Sequence, residues 1–232
     1  MDLEEAVIEN ITRISPDVRQ YTLSLKNEKF DGIPGGHTII SQPDGFKKPY
    51  SVLCVEGSRA LFMIRDVKNG GVSTYMAEQE QGDTVLVDPD ISGNLYLKNP
   101  DRPAALISTG TGITPMMGIL QQYLREGESD LYFMFGDKST DQLLYRETLK
   151  QYELLYDATS RYVLSREQWD GLNGYVQEHL YDVIPDTHSE TERDFYICGV
   201  PPMVVATKEK LRELGVPSER IHSEGWEGGA AE

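Results

Sequence analysis

Residues 106–120, LISTGTGITPMMGIL, decide the fold, because an apolar strand there runs through a glycine turn into a helix. We expect Thr114 to cap that helix and Pro115 to lie in its first turn. The turn itself consists of Thr109, Gly110, Thr111 and Gly112. Such a turn presents backbone N–H groups at a helix N-terminus, where the helix dipole also favours a pyrophosphate. An ordinary βα turn is the alternative, since one G-x-G pattern is weak evidence.

The rest of the second half alternates strands with helices. Its apolar strands are AALIST, LYFMFG, RYVLS and DFYICG, and each is followed by a segment with helical periodicity. The expected apolar helix faces are Met116, Ile119, Leu120 and Tyr123 before a stop at Gly127, then Tyr145, Leu149, Tyr152 and Tyr156, and finally Val204, Thr207, Leu211 and Leu214. This alternation is typical of right-handed βαβ units and a parallel sheet.

The first half has a different pattern. Short apolar runs, AVIENI, YTLSL, HTIIS, YSVLCV, ALFMI and TVLV, are separated by Gly, Pro, Asp and Asn, with one short helix at VSTYMAEQE. That spacing predicts an antiparallel sheet or barrel. The expected fold is therefore a two-domain chain, with an antiparallel β-barrel over residues 1–99 followed by an α/β parallel-sheet domain over residues 100–232. The glycine-rich end, EGGAAE, is expected to fray.

Charge and composition exclude several classes of protein. The formal net charge is −16, which argues against binding nucleic acid or an anionic membrane, because either requires Lys and Arg to neutralise phosphates. No apolar run approaches the ~20 residues of a membrane span, and the acidic start MDLEEAVIEN does not match a secretory signal, so we expect a cytoplasmic protein. Two cysteines cannot bind a four-thiolate cluster. The four histidines lack metal-ligand spacing, so we expect no metal site and assign His37 and His222 no catalytic role.

Two further motifs lie in the first half. Residues 47–53, KKPYSVL, place a base, a proline, an aromatic ring and a hydroxyl at the start of a strand. Residues 70–76, GGVSTYM, place two glycines before a hydroxyl-rich helix start, which could hold a phosphate. Taken singly, the first could be an exposed edge-strand tyrosine and the second a short capped helix.

Taken together, these motifs resemble the ferredoxin-NADP reductase superfamily, which pairs a flavin-binding barrel with a nucleotide-binding α/β domain. The resemblance covers nearly the whole chain. It includes Lys48-Pro49-Tyr50-Ser51 for the family's Arg-x-Tyr-Ser element, residues 70–73 for Gly-x-x-Ser, residues 110–115, FGDKSTDQLLYRETL, residues 198–203 and HSEGW near the end.

The resemblance implies a role for each of these residues. Tyr50 would lie on the flavin ring, Ser51 near its reactive nitrogen, and Cys198 beside the nicotinamide. The implied catalytic residues are Tyr50, Ser51, Cys198, Glu224 and Trp226, of which Trp226 would cover the flavin when no nucleotide is bound. The implied cofactor-binding residues are Lys48, Pro49, Tyr50, Ser51, Gly70, Gly71, Val72, Ser73, Thr74, Thr109, Gly110, Thr111, Gly112, Thr114, Pro115, Asp137, Lys138, Ser165, Arg166, Cys198, Gly199, Pro201, Met203 and Trp226.

Departures from the family pattern bear on the cofactors. The resemblance implies FAD as the cofactor, with FMN as the less favoured alternative. Lys48 keeps the positive charge of the usual Arg but loses the planar fork that grips a pyrophosphate, which reduces the support for FAD. Lys138 also stands where many relatives have Arg. Arg166 could pair with a 2′-phosphate, but Asn173 stands where a second basic residue is expected. We therefore expect both NADH and NADPH to be used.

The expected function is an electron-transfer reductase for ferredoxin, flavodoxin or a similar acceptor, acting as a monomer or weak dimer. One alternative is a diaphorase or flavin reductase with small acceptors. Another is a non-catalytic electron-transfer subunit of a larger complex. The acidic surface weighs against acidic ferredoxins, although Lys47, Lys48 and Lys68 could form a local basic patch.

Overall fold

The chain folds as a closed barrel followed by a parallel sheet, in a computed structural model that describes residues 2–126, 130–156, 158–182 and 193–224. The barrel consists of β1 (Glu4–Arg13), β2 (Val18–Leu25), β3 (His37–Ser41), β4 (Lys47–Glu56), β5 (Arg59–Arg65) and β6 (Thr84–Val87). Its strands pair antiparallel in the order β1-β2-β5-β4-β3-β6, and helix α1 (Val72–Glu78) follows β5.

The second half is a parallel sheet of six strands with helices on both faces. The strands are β7 (Ala104–Thr109), β8 (Leu131–Asp137), β9 (Ala158–Leu164), β10 (Leu172–Asn173), β11 (Asp194–Cys198) and β12 (Ile221–Glu224), in the order β10-β9-β8-β7-β11-β12. The helices are α2 (Ile113–Glu126), α3 (Arg146–Leu155) and α4 (Pro201–Glu213). The predicted two-domain fold, an antiparallel barrel and then a parallel α/β sheet, is confirmed.

Alternation of side chains explains why the first half closes into a barrel. In β2, Tyr21, Leu23 and Leu25 are buried and alternate with the partly exposed Thr22 and Ser24. One face of each barrel strand therefore fills the interior. By contrast, β7, β8 and β11 are buried over nearly their whole length, as strands covered by helices on both faces must be.

The two halves share a continuous apolar core. Val18, Leu53 and Met63 of the barrel belong to the same buried cluster as Met116 and Leu120 of α2. Because α2 lies between the barrel and the parallel sheet, it joins the two halves as one packed unit. The last barrel strand ends at Val87 and β7 begins at Ala104, so the boundary predicted at residues 99/100 falls in the connecting segment and stays a prediction.

Several details of the helices differ from expectation. Leu214, predicted on the face of the last helix, lies just after α4. In the described residues, β9 is followed by β10 and two 3-10 turns, Val176–Glu178 and Leu180–Asp182, instead of an α-helix.

Tyr145 and Tyr156 were predicted to lie on the apolar face of the second helix, but α3 begins after the first and ends before the second. Tyr145 adopts a left-handed conformation with φ of 55°, and its hydroxyl donates to Gln20 Oε1 at 2.6 Å, so a contact with the barrel holds it outside the helix. Gly127, the predicted stop of α2, lies outside the described residues. Within the described ranges, none of the helices has both the length and the apolar character needed to cross a membrane.

Candidate functional site

A groove of about 680 Å³ lies where the barrel meets the parallel sheet. Its barrel wall comes from β4, β5 and the start of α1, and Thr111 of the glycine turn contributes from the other half. Six residues that the sequence singles out line it: Lys48, Tyr50, Gly70, Gly71, Ser73 and Thr111. Motifs far apart in the chain are therefore brought to one surface.

Strand β4 supplies a flat surface and a positive charge to this groove. Tyr50 and Lys48 are two residues apart and therefore project from the same face of the strand. Burial raises the pKa of Tyr50 well above its ordinary value, so the ring stays neutral. Lys48 is exposed, and its ammonium lies 5.8 Å from the centroid of the Phe46 ring. Pro49 and Ser51 alternate with these residues and are outside the groove lining.

The two glycines before α1 are required by space. A Cβ at Gly70 would lie 2.2 Å from Ser73 Oγ and 2.8 Å from Val67 O. Gly71 has φ of 61°, and a Cβ there would lie 2.4 Å from the Phe46 ring. Both glycines line the groove, and a side chain at either position would collide with neighbouring lining residues.

Not every residue of this motif faces the groove. The Thr74 hydroxyl donates to Val67 O at 2.9 Å and accepts the Gly70 N–H at 3.1 Å, which ties the loop to the helix. Val72 is completely buried in the barrel core, so its side chain packs and does not line the groove.

The glycine turn lies at the point where the strand order of the sheet reverses. Strand β7 pairs with β8 on one side and with β11 on the other, and open α/β sheets bind ligands at the carboxyl ends of such strands. The turn forms a single 3-10 helix, residues 110–112, that leads directly into α2, and Gly110 has φ of 57°.

Thr114 does not cap α2 as the sequence predicts. It is the second residue of that helix, is buried, and its hydroxyl donates to Thr111 O at 2.7 Å instead of accepting a backbone N–H. The preceding 3-10 turn takes the place of a side-chain cap. Pro115 does lie in the first turn, as expected.

Close backbone contacts hold the turn against the end of β11. A Cβ at Gly112 would lie 2.3 Å from Cys198 O, and one at Gly199 would lie 2.2 Å from Thr109 Oγ1. The N–H of Val200 donates to Thr109 Oγ1 at 3.4 Å, and Pro201 then begins α4. Met203 is buried in the core of the sheet and accepts a hydrogen bond from the Thr207 hydroxyl at its sulfur, 3.3 Å away. Its side chain is therefore a packing element behind the turn.

Three of the predicted catalytic residues, Ser51, Cys198 and Glu224, are connected across the domain boundary by strand pairing and one side-chain contact. Cys198 pairs with Glu224 in neighbouring strands, and His37 pairs with Ser51 in the barrel. Glu224 Oε1 joins the two pairs, because it lies 3.4 Å from His37 Nδ1 and accepts the Asn94 N–H at 3.1 Å. Trp226 lies outside the described residues.

Burial and contact with Glu224 shift the pKa values of Cys198 and His37. Burial raises the pKa of the Cys198 thiol to about 12, with the Glu224 carboxylate acting in the same direction, so the thiol is neutral near pH 7. The hydrogen bond to Glu224 raises the pKa of His37, against the opposing effect of burial. Sequence reasoning gave His37 no role, since its partner is distant in the chain.

Arg65, the last residue of β5, is a groove residue that the motifs did not indicate. Its guanidinium lies 2.9 Å from Asp137 Oδ2 and 3.4 Å from Asp17 Oδ2, and it donates to Gln142 Oε1 at 3.3 Å. Asp137 was predicted to bind nucleotide, but its side chain is turned toward Arg65 and is almost fully buried. Burial raises the pKa of Asp137, and Arg65 opposes that rise.

The loops after β8 and β9 run side by side at the carboxyl ends of these two strands. The N–H groups of Ser165 and Arg166 donate to the carbonyls of Asp137 and Lys138, each at 3.0 Å. Lys138 and Arg166 are both exposed, so the structure brings two of the predicted basic residues to one edge. Glu167 accepts the Thr140 N–H and hydroxyl, both at 2.9 Å, which fixes the two loops together.

The barrel groove and the glycine turn of the parallel sheet therefore form one candidate site. Residues 106–209 match the family model described as the oxidoreductase NAD-binding domain. This match covers most of the parallel-sheet half, which is therefore similar to the NAD-binding domain of oxidoreductases.

Several known proteins are similar to this chain over most of its length. Ferredoxin–NADP reductase B of Sorangium cellulosum is 29% identical over 96% of this chain and 97% of its own length. The anthranilate 1,2-dioxygenase electron transfer component of Acinetobacter baylyi is 28% identical over 95% of this chain, which spans 64% of that longer protein. The crystal structure of a ferredoxin NADP+ reductase from Neisseria gonorrhoeae with bound FAD and NADP aligns with a TM-score of 0.82 at 20% identity, covering 97% and 99% of the two chains.

Proposed function

We propose that the chain is a flavin-dependent NAD(P)H oxidoreductase that binds FAD in the groove and a nicotinamide nucleotide at the glycine turn. The observation that carries this proposal is that Thr111 of the turn lines the same groove as Tyr50 of the barrel. A nucleotide on the turn would therefore meet a ring held on the barrel. Bound FAD would supply what side chains lack, the ability to accept two electrons together and release them one at a time.

The residues of the groove fit this cofactor. Tyr50 offers a neutral aromatic surface for a flat ring, and Gly70 and Gly71 line the groove where a side chain would collide with its neighbours. Lys48 places a positive charge beside them for a pyrophosphate, although without the two-point grip of an arginine.

A second hollow supports FAD over FMN. It has a volume of about 470 Å³, shares Asn69 and Gly71 with the groove, and is also lined by Thr74 and Tyr75. Only the dinucleotide has an adenosine half to occupy it. We therefore expect the purified protein to release FAD on denaturation, with liquid chromatography identifying the flavin.

At the nicotinamide end, Cys198 and Glu224 would position the reacting ring. The protonated thiol of Cys198 suits packing beside the nicotinamide and not nucleophilic attack, since the thiolate is the reactive form. Glu224 is held by the Asn94 N–H and His37, which keeps the end of β12 against the barrel. The proposed roles of Ser51 beside the flavin and of Trp226 over its face stay predictions.

The proposal extends to both nucleotides. Arg166 and Lys138 are exposed at the edge where an adenosine ribose would arrive, but neither is locked in place by a side-chain contact that the structure describes. A 2′-phosphate would therefore gain only a screened attraction. Measuring kcat/KM with NADH and with NADPH tests this, and a ratio beyond about 100-fold, or about 2.7 kcal/mol, would contradict it.

For the acceptor we propose a one-electron carrier such as a ferredoxin or flavodoxin. Lys48 lines the groove, and Lys47 and Lys68, which are next to groove residues in the chain, are also exposed, so these three could offer a local positive charge. The net charge of −16 favours a second candidate, a diaphorase with small acceptors, because long-range repulsion slows association with an acidic protein. Stopped-flow reoxidation by ferredoxin and by quinones at low and high salt separates the two.

The central experiment records the visible spectrum of the purified protein and then adds NADH or NADPH without oxygen. We expect flavin bands that bleach on adding nucleotide. A colourless protein that cannot be reconstituted with FAD or FMN would refute the proposed function.

A further inference from the structure

Arg65 joins the two halves of the molecule inside the candidate site. Its guanidinium reaches Asp17 within the barrel and both Asp137 and Gln142 in the parallel-sheet domain. The bond to Asp137 is the shortest of the three, at 2.9 Å. The contact therefore ties the end of β5 to the end of β8.

Burial makes this tie costly to break. The Asp137 side chain is 4% exposed and that of Arg65 is 18% exposed. The second oxygen of Asp137 accepts the Lys138 N–H at 2.8 Å, so both oxygens have partners. Removing one member of such a pair leaves an uncompensated buried charge, whereas removing both is often tolerated.

The position of the pair links it to both proposed ligands. Arg65 lines the groove together with Tyr50, and a Cβ at Gly110 would lie 3.7 Å from Arg65 Nη2. The guanidinium therefore lies between the flavin side of the groove and the glycine turn. Two carboxylates already neutralise it, which makes it a poor partner for a nucleotide phosphate.

We propose that Arg65 and Asp137 are a positioning pair that fixes the distance between the barrel groove and the glycine turn, and thereby the approach of the nicotinamide to the flavin. This inference rests on the proposed function. A displacement of about 1 Å between reacting groups can slow a reaction by about 100-fold, so the spacing matters more to rate than to affinity. Asp137 is thereby assigned to domain spacing instead of direct nucleotide contact.

The test compares Arg65→Met, Asp137→Asn and the double variant, with Arg59→Met as the control. Arg59 lies on the same strand but forms its ion pair within the barrel domain, with Glu9 at 2.7 Å. Its side chain is also far more exposed than that of Arg65. For each protein, flavin affinity, KM for NADH, the anaerobic rate of flavin reduction and the charge-transfer absorbance with NAD+ are measured.

We expect the double variant to fold and to bind flavin within about threefold of wild type, while flavin reduction slows about tenfold or more and the charge-transfer absorbance weakens. Either single variant that folds should lose as much rate as the double, because the residues act as one unit. Arg59→Met should behave as wild type.

Two outcomes would overturn the inference. One is a double variant reduced at the wild-type rate. The other is a rise in KM on Arg65→Met with no effect of Asp137→Asn, which would indicate that Arg65 binds nucleotide phosphate. If the wild-type protein binds no flavin, the proposed function itself is refuted. A wild-type protein that binds and reduces flavin while the double variant reduces it equally fast would refute only the role of the pair.

Discussion

If the proposed function holds, replacing Gly112 with alanine should damage the nucleotide end of the site while sparing the groove proposed for flavin. The added Cβ would lie 2.3 Å from Cys198 O, 2.6 Å from Cys198 C and 2.8 Å from the Cα of Gly199. Ordinary contact requires about 3.5 Å, so the glycine turn and the end of β11 must separate by roughly 1 Å. All three atoms belong to the backbone, so no side chain can rotate away. Overpacking costs about 1–3 kcal/mol, and we expect the upper end here.

Gly110→Ala is the matched control, two residues away in the same turn. Its Cβ would meet nothing closer than Arg65 Nη2 at 3.7 Å, but φ of 57° imposes a strain of roughly 1–2 kcal/mol. Urea unfolding gives the stability of each variant, and flavin fluorescence and the KM for NADH report the two parts of the site. We expect Gly112→Ala to be the less stable variant, with flavin affinity retained and KM raised. A Gly112→Ala protein as stable as the control, with an unchanged KM, would refute the steric argument.

Three further predictions concern single groups. Folding raises the pKa of Cys198 from 9.0 to about 12. The buried neutral thiol therefore contributes its full stability below pH 9 and loses it as the pH rises from 9 toward 12. In urea unfolding over that range, the free energy of unfolding of wild type should fall by up to about 4 kcal/mol more than that of Cys198→Ser. Iodoacetamide should alkylate the partly exposed Cys54 before Cys198, as peptide mass spectrometry would show, and the reverse order would contradict the buried thiol. Because the pKa of His37 is raised, its ion pair with Glu224 stabilises the fold at low pH and weakens as the pH rises through that pKa. His37→Gln should therefore lower the free energy of unfolding more at pH 5.5 than at pH 8. Equal losses at the two pH values would count against the pair.

Most of the strand and helix order could be predicted from the sequence because it depends on local chemistry, although the segment after β9 forms β10 and 3-10 turns instead of the expected helix. Alternating apolar residues such as those of β2 favour a half-buried strand, and the continuous apolar run of β8 favours a strand covered on both faces. Periodicity failed at Tyr145, which fits a helical face but is held before α3 by its bond to Gln20. A contact with a distant strand there outweighs the local preference.

The candidate site divides in the same way. The glycine motifs and the tyrosine of β4 were visible in the sequence, because a turn or a ring surface needs particular residue types at fixed spacing. The sequence could not show that Thr114 lies inside a helix entered from a 3-10 turn, nor that Val72 and Met203 are buried. Those outcomes depend on how the helices pack.

The sequence by itself therefore determined the two kinds of domain, their order and the motifs that face each other. Only the tertiary structure decided that Arg65 meets Asp137 and that Glu224 meets His37 across the boundary. The physical reason is that an ion pair needs a few ångströms of separation in space and imposes no spacing along the chain. The partners in these two pairs come within that distance only once both halves have packed around α2.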